Sequence, residues 1–236
     1  MEYDYALDKR SSYRWSSYHW PRQCRHWRAL VHVCQRWRYI IFAWPNNLKV
    51  QIDCRSRMDI EMALDVWPAL PFSICSSLDG DPNRDDIIAS LEHRERITEV
   101  DWSGLSGPQL DSCVALMQET FPILRTLSLE CEATNPLVIS DTFLGGCAPR
   151  LRNVTLIHIP FPTLPKLLLS ASHLVELHLK EIPKTGYISP DAMATCLAAL
   201  TRLESVTISS PLWRSFPQNQ TNQHPPPVTR AVLPPH

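Results

Sequence analysis

Leu174-Val-Glu-Leu177-His-Leu179 is the stretch from which the fold can be read. Leu177 and Leu179 alternate with His178. Successive side chains of a strand point to opposite faces, so the two leucines face one side and His178 the other. A strand this short, apolar on one face, needs neighbours to bury that face. The pattern recurs at Leu124-Arg-Thr-Leu127-Ser-Leu129, Leu151-Arg-Asn-Val154-Thr-Leu156 and Leu203-Glu-Ser-Val206-Thr-Ile208. The opening residues at 124, 151, 174 and 203 are 27, 23 and 29 residues apart. Weaker copies extend upstream: Ile97-Thr-Glu-Val100-Asp-Trp102, Trp67-Pro-Ala-Leu70-Pro-Phe72 and Pro45-Asn-Asn-Leu48-Lys-Val50.

A hexad of this form returning every ~20 to 29 residues is similar to the leucine-rich repeat. Each short strand is followed by a return segment, and stacked units bury one continuous core. The resemblance implies an α/β solenoid over residues 46–210. Its short parallel strands form one face, with helices or irregular segments on the other. Return segments are legible too. Residues 85–94 carry Ile87, Ile88 and Leu91 at helical spacing. Residues 108–119 open with proline, which the first helical turn tolerates, and align Leu110, Cys113, Val114 and Met117. Residues 190–200 repeat that design behind Ser189 as N-cap. In 162–171, Pro165 allows only a short helix, and 140–144 reads as one turn ended by Gly145-Gly146. The asparagine or cysteine that usually follows the last leucine by three residues is missing; Leu105, Glu132, Ile159 and Ile182 stand there. Apolar packing is therefore expected to replace a polar ladder.

Composition narrows the functional classes. Hydrophobic residues make up 44% of the 236, enough for a core, and the net charge of −1 sets up no global field for nucleic acid or an anionic membrane. There are 21 prolines against 6 glycines, so regular elements should be short. No apolar run approaches the ~20 residues a membrane helix needs, and no secretory signal is visible at the start. None of the eight cysteines forms a C-x-x-C pair, so the reading is a reduced cytoplasmic or nuclear protein without a zinc ribbon. The sequons at Asn153 and Asn219 are then chance matches. Residues 211–236, rich in proline, read as a loop or tail.

The first 45 residues hold five of the eight tryptophans and eight of the basic side chains. Over 27–41, Trp27, Leu30, Val31, Cys34, Trp37 and Ile41 recur at helical steps, with Arg28, His32, Gln35, Arg36 and Arg38 between them. The expected element is one amphipathic helix. A basic aromatic arm binding nucleic acid is the alternative reading of these residues.

Trp27-Arg-Ala-Leu-Val-His-Val-Cys34-Gln-Arg-Trp37-Arg resembles the second half of an F-box motif, running up to Pro45. Further phrases resemble fungal F-box-like leucine-rich-repeat proteins. These are Leu64-Asp-Val-Trp-Pro-Ala-Leu-Pro71, Phe143-Leu-Gly-Gly-Cys-Ala-Pro-Arg-Leu151, the run from Ile159 through Pro165 to Ala171, and Gly186-Tyr-Ile-Ser-Pro-Asp-Ala-Met193. His224-Pro-Pro-Pro-Val-Thr-Arg-Ala-Val-Leu-Pro234 resembles a proline-rich loop of that group. The likeness covers roughly residues 23–234. It implies an organisation of leader (1–22), partial F-box-like helical segment or remnant (23–45), repeats (46–210) and proline-rich loop or tail (211–236). It also implies a substrate receptor of a cullin–RING ubiquitin ligase: the F-box segment holds a Skp-type adaptor and the repeats hold a target. The adaptor-binding residues would be Trp27, Leu30, Val31, Cys34, Trp37 and Ile41. The Leu-Pro pair and first helix of an F-box are not recognisable in residues 1–22, and the family continues into further repeats. A truncated member with weakened adaptor binding is therefore the expectation.

No Gly-rich phosphate loop, H-E-x-x-H or G-x-S-x-G occurs. His93 reads as part of a solvated helix end, and His158, His173 and His178 lie in or beside strands. The chain is accordingly read as a non-enzyme with no catalytic residue, no metal and no cofactor. The target-binding face should be the outward row of the sheet: Asp101, Ser128, Thr155, His178 and Thr207. A general protein-binding scaffold without a ubiquitin role, or a non-functional fragment, are the alternatives.

Overall fold

The computed structural model describes residues 30–44, 48, 50–53, 70–76, 84–103, 105–131 and 137–209. Trp27, the leader 1–22 and the proline-rich 211–236 lie outside the described residues. The chain divides into two compact units at Val50/Gln51.

The larger unit is an α/β fold around a seven-stranded sheet whose strands lie in chain order. They are β1 (Val50–Asp53), β2 (Phe72–Ser76), β3 (Ile97–Trp102), β4 (Thr126–Glu130), β5 (Asn153–Ile157), β6 (Glu176–Lys180) and β7 (Ser205–Ser209). The pairs from β2 to β7 are all parallel. The hexads set the register. Val100, Leu127, Val154, Leu177 and Val206 stand directly opposite one another, and Trp102, Leu129, Leu156, Leu179 and Ile208 form the parallel row beside them. Through β6 both rows are buried. This one-sided burial is what period-two alternation produces when a single sheet face is covered.

Return segments supply the cover: α2 (Arg84–Leu91), α3 (Gly107–Leu116), α4 (Leu164–Ser170) and α5 (Pro190–Ala199). α2 packs on α3, and α4 on α5. Ser106 and Gln109 flank Gly107-Pro108 at the start of α3, the Ser106 N–H donating to Gln109 Oε1 at 2.9 Å, and Ser189 Oγ accepts the Ala192 N–H at 3.2 Å to start α5. Between α3 and α4 the cover is a 3-10 turn, Phe143–Gly146, in which Leu144, Gly145 and Gly146 take positive φ. It is tied to the end of α3 by Leu144 N–H to Met117 O (2.8 Å), and Phe143 meets the edge of Phe161 at 5.9 Å. Leu105 and Ile159, three residues after Trp102 and Leu156, are buried, and Ile182, three after Leu179, is half-buried.

Each strand from β4 on is launched by the same turn. Leu124, Leu151, Leu174 and Leu203 donate their N–H to the carbonyls of Phe121, Ala148, Ala171 and Leu200, all three residues back. Those four acceptors are buried, so the repeat carries one more apolar position than the hexad shows. Pro122 and Pro149 follow two of them, at the turn position that fixed φ favours. After β5 and β6 the chain turns through His158 (φ 58°) and Glu181 (φ 50°), whose N–H groups extend the ladder to Lys180 O and Ser209 O.

Two upstream assignments need correction. The copy from Trp67 placed Leu70 and Phe72 opposite Val100 and Trp102. The observed register puts Ile74 and Ser76 there, with a bulge between Phe72 and Ser73. Pro71 has no N–H to give a ladder, so the strand begins after it. The copy from Pro45 likewise starts its strand late, at Val50, with Val50 and Ile52 buried.

In the smaller unit, the single helix expected over 27–41 is broken among the described residues. Leu30 and Val31 end in a turn at His32-Val33, and Cys34 is extended (φ −161°, ψ 172°) as the N-cap of α1 (Gln35–Phe42). Val31, Val33 and Cys34 are poor helix formers set in succession with His32, and Arg38 Nε donates to Val31 O at 3.1 Å, holding the break. The stripe of Leu30, Val31, Cys34, Trp37 and Ile41 therefore does not lie on one helix.

Candidate functional site

The outward residues of the sheet fall into rows, because one register runs from strand to strand. The row foreseen from sequence is in place: Asp101, Ser128, Thr155, His178 and Thr207 stand opposite one another, and Cys75 precedes them on β2. At the ~4.8 Å strand spacing the five span ~19 Å, about the length of a short peptide segment. Asp101, Ser128, Thr155 and His178 are half-buried and Thr207 is exposed.

A second row lies beside it: Ser73, Glu99, Thr126, Asn153, Glu176 and Ser205. A third is formed by Glu130, Ile157, Lys180 and Ser209. Neither was singled out from sequence, although the alternation that marks His178 also marks the residue two before and two after it. Polar bonds cross between strands in the second row. Ser73 Oγ donates to Glu99 Oε2 at 3.2 Å, and Asn153 Nδ2 donates to Glu176 Oε2 at 2.8 Å. Glu176 Oε2 also lies 3.7 Å from His178 Nε2 on its own strand. The charges divide along the sheet: Glu99, Asp101 and Glu130 on β3 and β4 are acidic, while β6 carries Glu176 with His178 and Lys180.

Asp101 is a half-buried carboxyl on this face. Burial pushes its carboxyl above the ordinary aspartate value. Hydrogen bonds from the Ser128 and Ser103 hydroxyls oppose that shift, and the nearby Glu130 and Glu99 charges reinforce it. Its Oδ1 has no hydrogen-bond partner. Arg96, just before β3, reaches back to the start of β2: its Nε donates to Leu70 O at 3.0 Å and its guanidinium lies 5.3 Å from the Phe72 ring centroid.

Among the described residues no group of three or more His, Cys, Asp or Glu side chains could hold a metal ion. No described helix is long and apolar enough to cross a membrane.

The residues assigned to adaptor contact scatter. Val31 is buried, Ile41 half-buried, Cys34 exposed, and Leu30 and Trp37 are partly exposed, Trp37 at 46%. Val33, Tyr39, Ile40 and Trp44 add exposed apolar surface that the helical stripe did not foresee.

No family model, curated protein or solved structure matches the chain.

Proposed function

We propose that this chain is a protein-binding module of the leucine-rich-repeat, F-box-like kind. In this reading it is a substrate receptor of a cullin–RING ubiquitin ligase, with a target on the open sheet face and a Skp-type adaptor at the 23–45 segment. The observation that carries the protein-binding part is the in-register outward row from Asp101 to Thr207. It is small and polar over Ser128 and Thr155, carries Asp101 and His178 on either side of them, and lies on paired strands. Such a surface accepts an extended partner without moving the backbone. The ubiquitin part rests on the F-box-like phrase around Trp27 to Trp37 and on the exposed apolar side chains of 30–44. An apolar surface of this kind beside basic side chains suits a partner with an apolar groove and an acidic rim.

A photo-crosslinking amino acid at Thr155, compared with one at the exposed Leu169 of α4, tests the face in cells that express the chain. The expected result is a protein captured from Thr155 and absent from Leu169. Its purified complex should weaken by at least about tenfold with Thr155→Arg, the scale of one lost anchor. Identical captures from both sites, or no effect of Thr155→Arg, would remove the sheet face as the target surface.

A further inference from the structure

The edge of the sheet where the strands are launched is basic, although the whole chain carries a net charge of −1. The residue after the opening leucine is arginine ahead of β4 and β5, Arg125 and Arg152. The two places are adjacent, because the Arg152 N–H donates to Arg125 O at 2.7 Å. Val175 and Glu204 continue the row, each donating its N–H to the carbonyl of the member before it. The residue before the opening leucine gives a second row: Arg150, His173 and Arg202 ahead of β5, β6 and β7. Arg202 Nη1 lies 2.9 Å from His173 Nδ1, so neighbours in this row touch. All four arginines are exposed and His173 is half-buried. Cations held at the ~4.8 Å spacing of strands repel unless carboxylates stand between them. Here the only acid in either row is Glu204, beyond Val175, and among the described residues none of the four arginines is ion-paired with a carboxylate. A guanidinium has no acceptor, so His173 Nδ1 accepts from Arg202 and the ring's N–H at Nε2 remains a donor.

We propose that this edge binds a segment of a partner protein rich in Asp and Glu, whose carboxylates seat on the Arg125–Arg152 pair and on Arg150 and Arg202 beside His173. The complementarity is one of charge and of shape. A guanidinium offers a planar fork of donors that a carboxylate meets with two parallel hydrogen bonds. Side chains at equal places of neighbouring parallel strands lie on the same side, so the forks of each row are presented together. The non-basic places in the two rows are Val175, Glu204 and Ile123, none of them aromatic, so a nucleic-acid base has no ring to stack on. That favours an acidic polypeptide over single-stranded nucleic acid. The surface is separate from the outward rows of the sheet and from residues 30–44, so the proposal is unaffected if the target-face or adaptor reading fails.

Fluorescence anisotropy of a labelled oligoglutamate peptide titrated with the full chain tests it. Binding should saturate and weaken as salt is added. Arg125→Gln with Arg152→Gln should weaken it by at least about tenfold, the loss of two charge-assisted contacts. Arg150→Gln with Arg202→Gln should do the same from the second row, so the result does not hang on one variant's folding. Lys166→Gln with Lys184→Gln removes as much charge from exposed places outside the two rows, and should change binding by less than about twofold. An oligothymidylate of equal charge should bind more weakly than the peptide. Absence of saturable peptide binding would overturn the proposal. So would retained binding in both arginine pairs, equal losses from the lysine pair, marking net charge alone, or tighter binding of the oligothymidylate, marking a nucleic-acid surface.

Discussion

Leu177 of β6 stands directly opposite Val154 of β5, and both are buried at the same place in the repeat. On its other side Leu177 faces Val206 of β7. One side chain thus joins the cores of three successive units, so a cavity at Leu177 is shared between neighbours on both sides. Leu177→Ala should lower the unfolding free energy by ~2–5 kcal/mol, from lost burial plus the cavity. Val206→Ala should cost markedly less, because its side chain is already partly in solvent. Urea denaturation of the two variants checks the order; equal losses would mean that Leu177 lacks neighbours on both sides.

Asp101 links the binding face to pH. Its carboxyl titrates above the ordinary aspartate value in the folded chain, mainly because it is buried. The folded state therefore holds this proton more tightly than the unfolded state does. The associated stability is full below the unfolded value and is lost as pH rises through the folded one. Asp101→Asn should be more stable than the parent at neutral pH, and the advantage should shrink on acidification through that window. Thermal unfolding of both chains across mildly acidic to neutral pH gives the comparison. An advantage that grows on acidification would contradict the sign.

Gly186 is fixed by close approach. A Cβ there would lie 2.5 Å from Pro160 Cα and 3.0 Å from Phe161 N, backbone atoms that cannot step aside cheaply. Gly186→Ala should push the Lys184–Gly186 turn away from the end of the previous unit and cost ~1–3 kcal/mol, the range for overpacking. Chemical denaturation checks it, and an unchanged midpoint would show that the two segments do not meet.

The strands from β3 to β7 were legible because burial on one face imposes an alternation that the hexads carry openly. Upstream the same signal misled. In Trp67-Pro-Ala-Leu70-Pro-Phe72 the apolar spacing is right, but Pro71 cannot donate to a ladder, and Ile74 takes the core place instead. The break at Cys34 was hidden by a stripe whose spacing is helical although its β-branched residues are not good helix formers. The launching turns at Phe121, Ala148, Ala171 and Leu200 were missed because a phenylalanine, two alanines and a leucine share no obvious pattern; only their spacing repeats. The outward row could be named in advance, because outwardness follows from alternation. The burial of Asp101 could not, because it depends on Ser103, Ser128 and the glutamates of neighbouring strands.

Calorimetry of the full chain with a purified Skp-type adaptor tests the receptor reading most directly. Residues 30–44 offer exposed apolar anchors on one short helix and the turn before it. A complete specific interface buries roughly 1,200–2,000 Å², and each missing aromatic anchor costs ~2 kcal/mol or more. The account predicts weak, saturable binding that Trp37→Ala abolishes, and binding at least about a hundredfold tighter when a complete F-box is placed before Trp27. No heat at saturating adaptor would contradict the receptor reading, as would binding that Trp37→Ala leaves unchanged.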